Sequence, residues 1–584
     1  MADFQNPQQE PGMERRLLLV FALTFLVIVL FQPFLKRYLP QAPQPSSPQK
    51  ENQAATPAPP PGNSPSLTLQ PTAAAATPNK AVHQASSESQ TVIENDLYRV
   101  TFTNRGAQVT SWILKKFDDD HGQPLDLVNH LASQKYGFPL SLWVYDENQR
   151  NKANSALYVS SESGTLNAPA EITFEYSDSD LSIRKSFRFD HTYVINVDVT
   201  ASAHGNSVTA FPMWPAGFGD QTSPVGYAPG RIEYQYNSTI ERLAGKKISS
   251  GNTIQGPFDW IGATDQYFAA VFIPDKPQDA AAITLRNSLD IPKDAKNPQD
   301  TTKVDVLGVA AGNPHGPTSE RMYVGPKELR TLESVSVPAI TGKDPDLRGL
   351  INFGFFEVIA RPLFIWLRWT YKWIVHNWGW AIVIQTIIIN IALLPLRVSS
   401  MKSALKMQRI QPQMNAIKEK YKKYSMRDPR RQEMNTEIGE LMKKEGVSPV
   451  GGCLPMLIQM PFLFAYYSML GSALDLRHAH WLWIHDLSSP DPYLILPIGI
   501  IVTGLFTQRM TPQAGMDPSQ QKMMNFMMPV MFGIISYRLA AGLCLYWVVG
   551  SLIAIVQQAV MNRTSLGQEM REMALKRARK REKK

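Results

Sequence analysis

The chain has 584 residues, 44% of them hydrophobic and 19% charged, with a formal charge of +9. That length excludes a single small domain, and the middling hydrophobic content excludes neither membrane spans nor an aqueous domain, because it averages unlike segments. Both cysteines, Cys453 and Cys544, lie in apolar stretches, which excludes a disulfide framework for the aqueous part.

In chain order, Arg15 and Arg16 precede an apolar run that continues through Phe34 and Leu35 to Lys36 and Arg37. It is long enough to span a bilayer and no small-x-small cleavage site closely follows it. Residues 1–36 therefore read as a retained N-terminal transmembrane anchor with a cytoplasmic N-terminus, in preference to a cleaved signal. Residues 37–90 hold eleven prolines between Pro40 and Pro78 among Ala, Gln, Ser and Thr. That composition cannot bury a core and predicts a disordered Pro/Ala-rich linker.

From 91 to 340 the pattern changes to short alternating runs, such as 181–184, 187–189 and 193–199. These predict half-buried antiparallel strands and an exported all-β sandwich. Trp214, Phe218, Tyr227, Tyr234 and Tyr236 read either as core and loop packing or as the lining of a sugar-binding cleft. In residues 344–375 the charges Glu357, Arg361, Arg368 and Lys372 share one helical face, which predicts an interfacial amphipathic helix with Pro362 as a kink site.

Residues 376–562 form a predicted membrane core of five α-helical spans near 377–396, 450–472, 493–508, 523–537 and 540–562, making six with the anchor. Between the first two lies a loop, 397–447, with 13 Lys plus Arg against 6 acids. Apolar stripes on either side of Asp428-Pro429 make it a helical hairpin. The tail, 563–584, has 9 Lys plus Arg against 3 acids. Positive-inside asymmetry puts hairpin and both termini in the cytoplasm and the sandwich outside. Hairpin and tail fit anionic phospholipids or ribosomal RNA, or serve only as solvated topology signals.

Several spans carry polar groups, notably Gln385, Thr386 and Asn390. Unsatisfied polar groups cost several kcal/mol in hydrocarbon, so these face a partner helix or a wet cavity. Thr386, Asn390 and Arg397 follow at i, i+4 and i+11, which predicts one shared helical face. No Gly-rich phosphate loop, intramembrane carboxylate pair or nucleophile triad stands out, and the spacing of His478, His480, His485 and Asp486 matches no metal motif. We expect no cofactor, no metal and no enzymatic chemistry.

Asn377-Trp378-Gly379, Pro395-Leu396, Gly451-Gly452-Cys453-Leu454-Pro455 running to Gln459-Met460-Pro461, Leu482 to Leu487, Asp491-Pro492-Tyr493 and Gly542 to Tyr546 together resemble the YidC membrane protein insertases. Trp260-Ile261-Gly262, Gln266-Tyr267-Phe268 and Tyr323 to Lys327 extend the resemblance into the exported half. It implies a Gram-negative inner-membrane protein with a periplasmic domain and a hydrophilic groove open to cytoplasm and lipid. Nascent integral membrane proteins would be its clients, with the Sec translocon and the ribosome as further partners. Carried over residue by residue, it implies groove or client contact for Thr386, Asn390, Arg397, Met460, Pro461, Tyr546 and Trp547, with Gln385 and Gln459 as further candidates; Tyr546 and Trp547 read equally as helix packing and Gln459 as interhelical glue. Asn390 stands where the family usually has an arginine, which puts an arginine-based attraction of acidic client tails in question. The alternative function, a polytopic secondary transporter with a sugar-binding domain, lacks the repeated halves and intramembrane ionisable relays such proteins use.

Overall fold

The computed structural model describes residues 82–569 and Glu572, except 120, 223–229, 237–238, 295–296, 338–345, 425–427, 448–453, 511–522 and 566. The expected anchor at 1–36, Tyr227, and most of the linker and tail lie outside the described residues.

Alternation in the sequence becomes alternation in burial. Strand Leu181–Phe189 turns Leu181, Ile183, Lys185, Phe187 and Phe189 inward, and Val194–Ala203 pairs antiparallel beside it. They belong to a ten-stranded sheet that ends at Arg231–Tyr236 and Thr239–Ala244 on one side and at Val159–Ser160 on the other. A five-stranded sheet containing Tyr98–Thr103 and Gln108–Asp118 packs across it, with Phe102 5.1 Å from Phe187 and 5.6 Å from Phe174, ring to ring. A second five-stranded sheet, built on the long pair Ala281–Asp294 and Asn297–Gly312, adds Leu307, Val309 and Ala311 to the same core. The expected sandwich is therefore a wide sheet covered by two smaller ones.

Lys185 and Glu320 are charged residue types at inward strand positions. Lys185 is fully buried, and its Nζ donates to the carbonyls of Gly106 at 2.6 Å, Leu140 at 2.9 Å and Ala107 at 3.1 Å. Glu320, on Thr318–Pro326, is buried with neither carboxylate oxygen accepting a hydrogen bond from a described residue. Trp214 and Phe218 are core, their rings 5.3 Å apart, whereas Tyr236 is exposed, so the described members of this set form no aromatic cleft. The linker expectation also shortens. His83 pairs with Ser177 in both directions at 2.8 and 2.9 Å and Ala85 bonds Leu157, because backbone groups laid along a sheet edge find partners there.

Three short helices, α1 (His130–Tyr136), α2 (Glu147–Ser155) and α3 (Leu329–Glu333), decorate this half; Asn129 and Asp146 cap the first two. The helical half follows. Helix α4 (Glu357–Trp373) buries Ala360, Leu363, Phe364 and Leu367 on one face. On the other side Arg361 pairs with Glu357 one turn back, while Arg368 reaches Glu328 at 3.2 Å and Asp475 at 3.7 Å. Helix α5 (Trp378–Ala392) starts at an Asn377 cap and meets α6 (Leu394–Lys420) at a 46° bend. Helix α7 (Arg430–Lys444) folds back on α6, burying Ile410, Met414 and Val447 against Ile438, Leu441 and Met442. The remaining helices are α8 (Leu454–Ser472), α9 (Ile495–Met510), α10 (Met528–Ser536) and α11 (Ala541–Arg563). Among the described residues α11 alone is long and apolar enough by itself to cross a membrane, with the bent α5–α6 pair as a second candidate.

The two halves are joined by named bonds. Gln266 Nε2 donates to the Gly471 carbonyl at 2.6 Å, Arg242 to that of Gly349 at 2.7 Å, and Arg477 to that of Asp118 at 2.8 Å.

Candidate functional site: a polar cavity among the helices

Between α6, α8, α9, α10 and α11 lies an open cavity of about 400 Å³. Its polar lining comes from Arg397, Gln459, Thr507, Gln508 and Ser551; Met460, Phe532, Tyr546 and Trp547 supply much of the apolar remainder. Arg397 is half-buried and its Nη1 donates to Gln557 Oε1 at 2.6 Å. Gln557 in turn donates to the Asn390 carbonyl at 3.1 Å, tying the bend between α5 and α6 to α11. Phe532 and Trp547 pack edge to face at 4.9 Å.

Of the residues expected from sequence, Arg397, Gln459, Met460, Tyr546 and Trp547 line this cavity. Gln385, Thr386 and Asn390 sit behind it, buried to 0%, 0% and 4% exposure. The expected single face through Thr386, Asn390 and Arg397 is broken, because the bend at Leu393 turns α6 away from the line of α5. Thr386 Oγ1 bonds back to the Ile382 carbonyl at 2.6 Å, and Asn390 Nδ2 to that of Thr386 at 2.9 Å. Both lie beside Gly550 of α11. Pro461 lies in the interior of α8 and is not among the cavity-lining residues.

Behind the cavity Gln385 joins three helices. Its Nε2 donates to the Leu363 carbonyl on α4 at 2.9 Å, and its Oε1 accepts from the Tyr466 hydroxyl on α8 at 2.5 Å. Tyr466 then stacks on Tyr546 of α11, ring centroids 4.0 Å apart and 13° from parallel. Sequence inspection passed over Tyr466, Thr507, Gln508 and Ser551. The signal for the middle two was a polar pair ending an otherwise apolar helix; for Tyr466 there was none.

Outside the cavity the helices are apolar ridges, with Ile498, Val502 and Phe506 on α9 and Leu552, Val556 and Val560 on α11 all exposed. Rows of exposed large apolar side chains along two packed helices suit lipid. The histidine-rich segment has another organiser: Asp486 accepts from the backbone of His478 and Ser488 and from the hydroxyls of Ser488 and Ser489. No three metal-type ligands gather among the described residues.

A helical core with apolar outer ridges and a polar recess, bonded to a β-rich aqueous domain, defines a membrane protein with a large domain outside the bilayer. Family profiles divide it the same way: residues 90–366 match the YidC periplasmic domain and 369–568 the 60Kd inner membrane protein. The membrane protein insertase YidC of Geobacter metallireducens is 31% identical over 94% of this chain and 99% of its own. That of Campylobacter jejuni is 31% identical over 94% and 96%. A solved active YidC insertase with its first transmembrane domain covers 83% of this chain and 95% of its own at 18% identity, with a TM-score of 0.33. The chain belongs to the YidC family of inner-membrane proteins.

Proposed function

We propose that this protein is a membrane protein insertase that also helps its clients fold and assemble, with the cavity among α6, α8, α9, α10 and α11 as the place where a client's polar segment is held. The observation that carries this reading is the pairing of polar lining with apolar outer ridges: Arg397, Gln459, Gln508 and Ser551 inside, Ile498, Val502 and Phe506 outside. A polar tail moved through a wet recess avoids much of its desolvation cost. Burial of about 20 apolar residues of the client helix then supplies the driving force, and no bond chemistry is required.

In this reading the protein has six spans, counting an N-terminal anchor at 1–36, with both termini and the α6–α7 hairpin in the cytoplasm and the β-rich domain in the periplasm. Domain limits follow as 91–340 for the sandwich, 344–375 for the interfacial helix and 376–562 for the core. The hairpin pairs a basic surface with a small apolar seam, which suits docking of a ribosome or a nascent chain. The Sec translocon and anionic phospholipids complete the set of partners.

The test is reconstitution of the purified protein alone in liposomes, scored by protease protection of a small single-span client with an acidic tail. Protection should exceed that of empty liposomes, fall several-fold for Arg397→Glu, and change little for Asn390→Leu, because Asn390 lies behind the cavity. Equal protection with and without native protein would sink the reading. If Asn390→Arg raises insertion while Arg397→Glu has no effect, the charge that matters enters from α5.

A further inference from the structure

A second and larger cavity, of about 630 Å³, lies at the seam between the two halves. Its β-domain wall carries Arg231 and Lys327, and its helical wall includes Arg538, just after α10. Three cations therefore converge on one space that also holds two acids, Glu233 and Asp265, which leaves its lining net positive by one. Glu233 lies 3.4 Å from Arg242 and accepts from Thr264 Oγ1 at 3.2 Å. Asp265 Oδ1 accepts from the backbone of Tyr267 at 2.7 Å and Phe268 at 2.6 Å. Arg231 and Arg538 form no ion pair or side-chain hydrogen bond with a described residue, and buried Lys327 spends one donor, on the Asp265 carbonyl at 2.9 Å. Lys327 shares its charge with Glu233 and Asp265, but two exposed arginines with no acid partner among the described residues, Arg231 and Arg538, at a roomy polar space make an anion site.

The rest of the rim says which kind of anion. Tyr467, 53% exposed on α8, and Leu539 line the same cavity, and Tyr537 beside it is also exposed. Tyrosines and basic residues at the end of apolar helices mark the level of lipid headgroups. We propose that this cavity holds the phosphodiester headgroup of a membrane phospholipid, whose acyl chains run out past Tyr467 and Leu539, so that a lipid molecule is part of the joint between the β-domain and the helical core. The inference rests on the insertase reading only in placing these helices in a bilayer. It adds a bound ligand, with Arg231, Lys327 and Arg538 as its contacts.

The full-length protein, reconstituted in nanodiscs of phosphatidylethanolamine and phosphatidylglycerol and then stripped with detergent, is examined by native mass spectrometry for retained phospholipid. The native chain should keep about one molecule, and the exposed pair Arg231→Gln with Arg538→Gln should keep roughly tenfold less, from loss of charge-assisted contacts. Lys303→Gln, an exposed cation elsewhere, should match native. Excess inorganic phosphate should leave the lipid in place. No retained lipid in the native chain, or equal retention in the double variant, overturns the proposal; displacement by inorganic phosphate makes it a soluble-anion site and overturns it as a lipid site. Client insertion is scored on the same preparations. Lipid retention without insertion by native protein sinks the insertase reading alone, and insertion with no retained lipid sinks this proposal alone.

Discussion

The Tyr466 hydroxyl donates to Gln385 Oε1 at 2.5 Å, across 81 residues of sequence, while the Tyr466 ring stacks on Tyr546 at 4.0 Å. One face of Tyr546 thus closes a buried polar chain that starts at the Leu363 carbonyl, and the same residue lines the open cavity. The wall behind the cavity is consequently held by hydrogen bonds and stacking together, which keeps a polar recess from collapsing.

Separate roles for hydroxyl and ring predict a graded response at this position. Tyr466→Phe keeps the stack and leaves Gln385 Oε1 without its donor, a loss of about 1 kcal/mol. Tyr466→Ala also removes the ring and should lower stability by about 3–5 kcal/mol. Thermal unfolding in detergent measures both, and equal losses for Phe and Ala would show that the ring adds nothing.

How much of this was visible in the sequence depends on range. Alternation over Leu181–Phe189 placed the apolar inward residues but not Lys185, and the stripes around Asp428-Pro429 placed the α6–α7 hairpin, because both patterns are set by neighbours within one element. Arg397 and Trp547 were identifiable as cavity residues. The Gln385–Tyr466–Tyr546 chain was not, since nothing local distinguishes Tyr466 from Tyr467 beside it, and only the fold makes one buried and the other exposed. The burial of Asn390 behind the cavity was hidden for the same reason: it depends on the bend at Leu393 and on the packing of another helix, α11, whose Gln557 bonds the Asn390 carbonyl.

Glu320 gives a pH-dependent signal. Burial, with Asp275 nearby, raises its carboxyl well above the ordinary 4.5. Between 4.5 and that raised value the folded chain holds a proton the unfolded chain has released, so stability is intact below 4.5 and is lost as pH rises through the folded value. Glu320→Gln mimics the protonated form. It should match native at pH 4 and exceed it at pH 8 by about 1.4 kcal/mol or more, the free energy of moving one titration by a single pH unit. Denaturant unfolding at the two pH values is the check; a gap that does not change with pH would remove the assignment.

Lys185 is the opposite case, a buried amine whose Nζ meets three carbonyl acceptors. Lys185→Met fills similar space but strands the carbonyls of Gly106, Ala107 and Leu140, and should cost about 3 kcal/mol or more. Because these carbonyls belong to the β-domain, hydrogen exchange should rise there first and leave α8 and α11 unchanged. Uniform loss of protection throughout the chain would contradict a local staple.

Gly379 sits where α5 begins, against the loop that carries His480 and Trp481. Asn377 caps the helix through Trp380 N at 3.1 Å and donates to the His480 carbonyl at 3.0 Å, which holds that loop against the helix start. A Cβ on Gly379 would fall 2.1 Å from Trp481 Cδ1 and 2.6 Å from its Cβ, too close for a side-chain swing to relieve. Gly379→Ala should therefore cost about 1–3 kcal/mol as an overpacking change. The cause is steric and pairwise, so the penalty should shrink when Trp481→Ala is added, although that change alone is destabilising because Trp481 is buried. A double-mutant cycle measured by thermal unfolding separates the two accounts. A coupling that offsets most of the Gly379→Ala loss assigns it to the Trp481 contact, and strict additivity would assign it to the helix backbone instead.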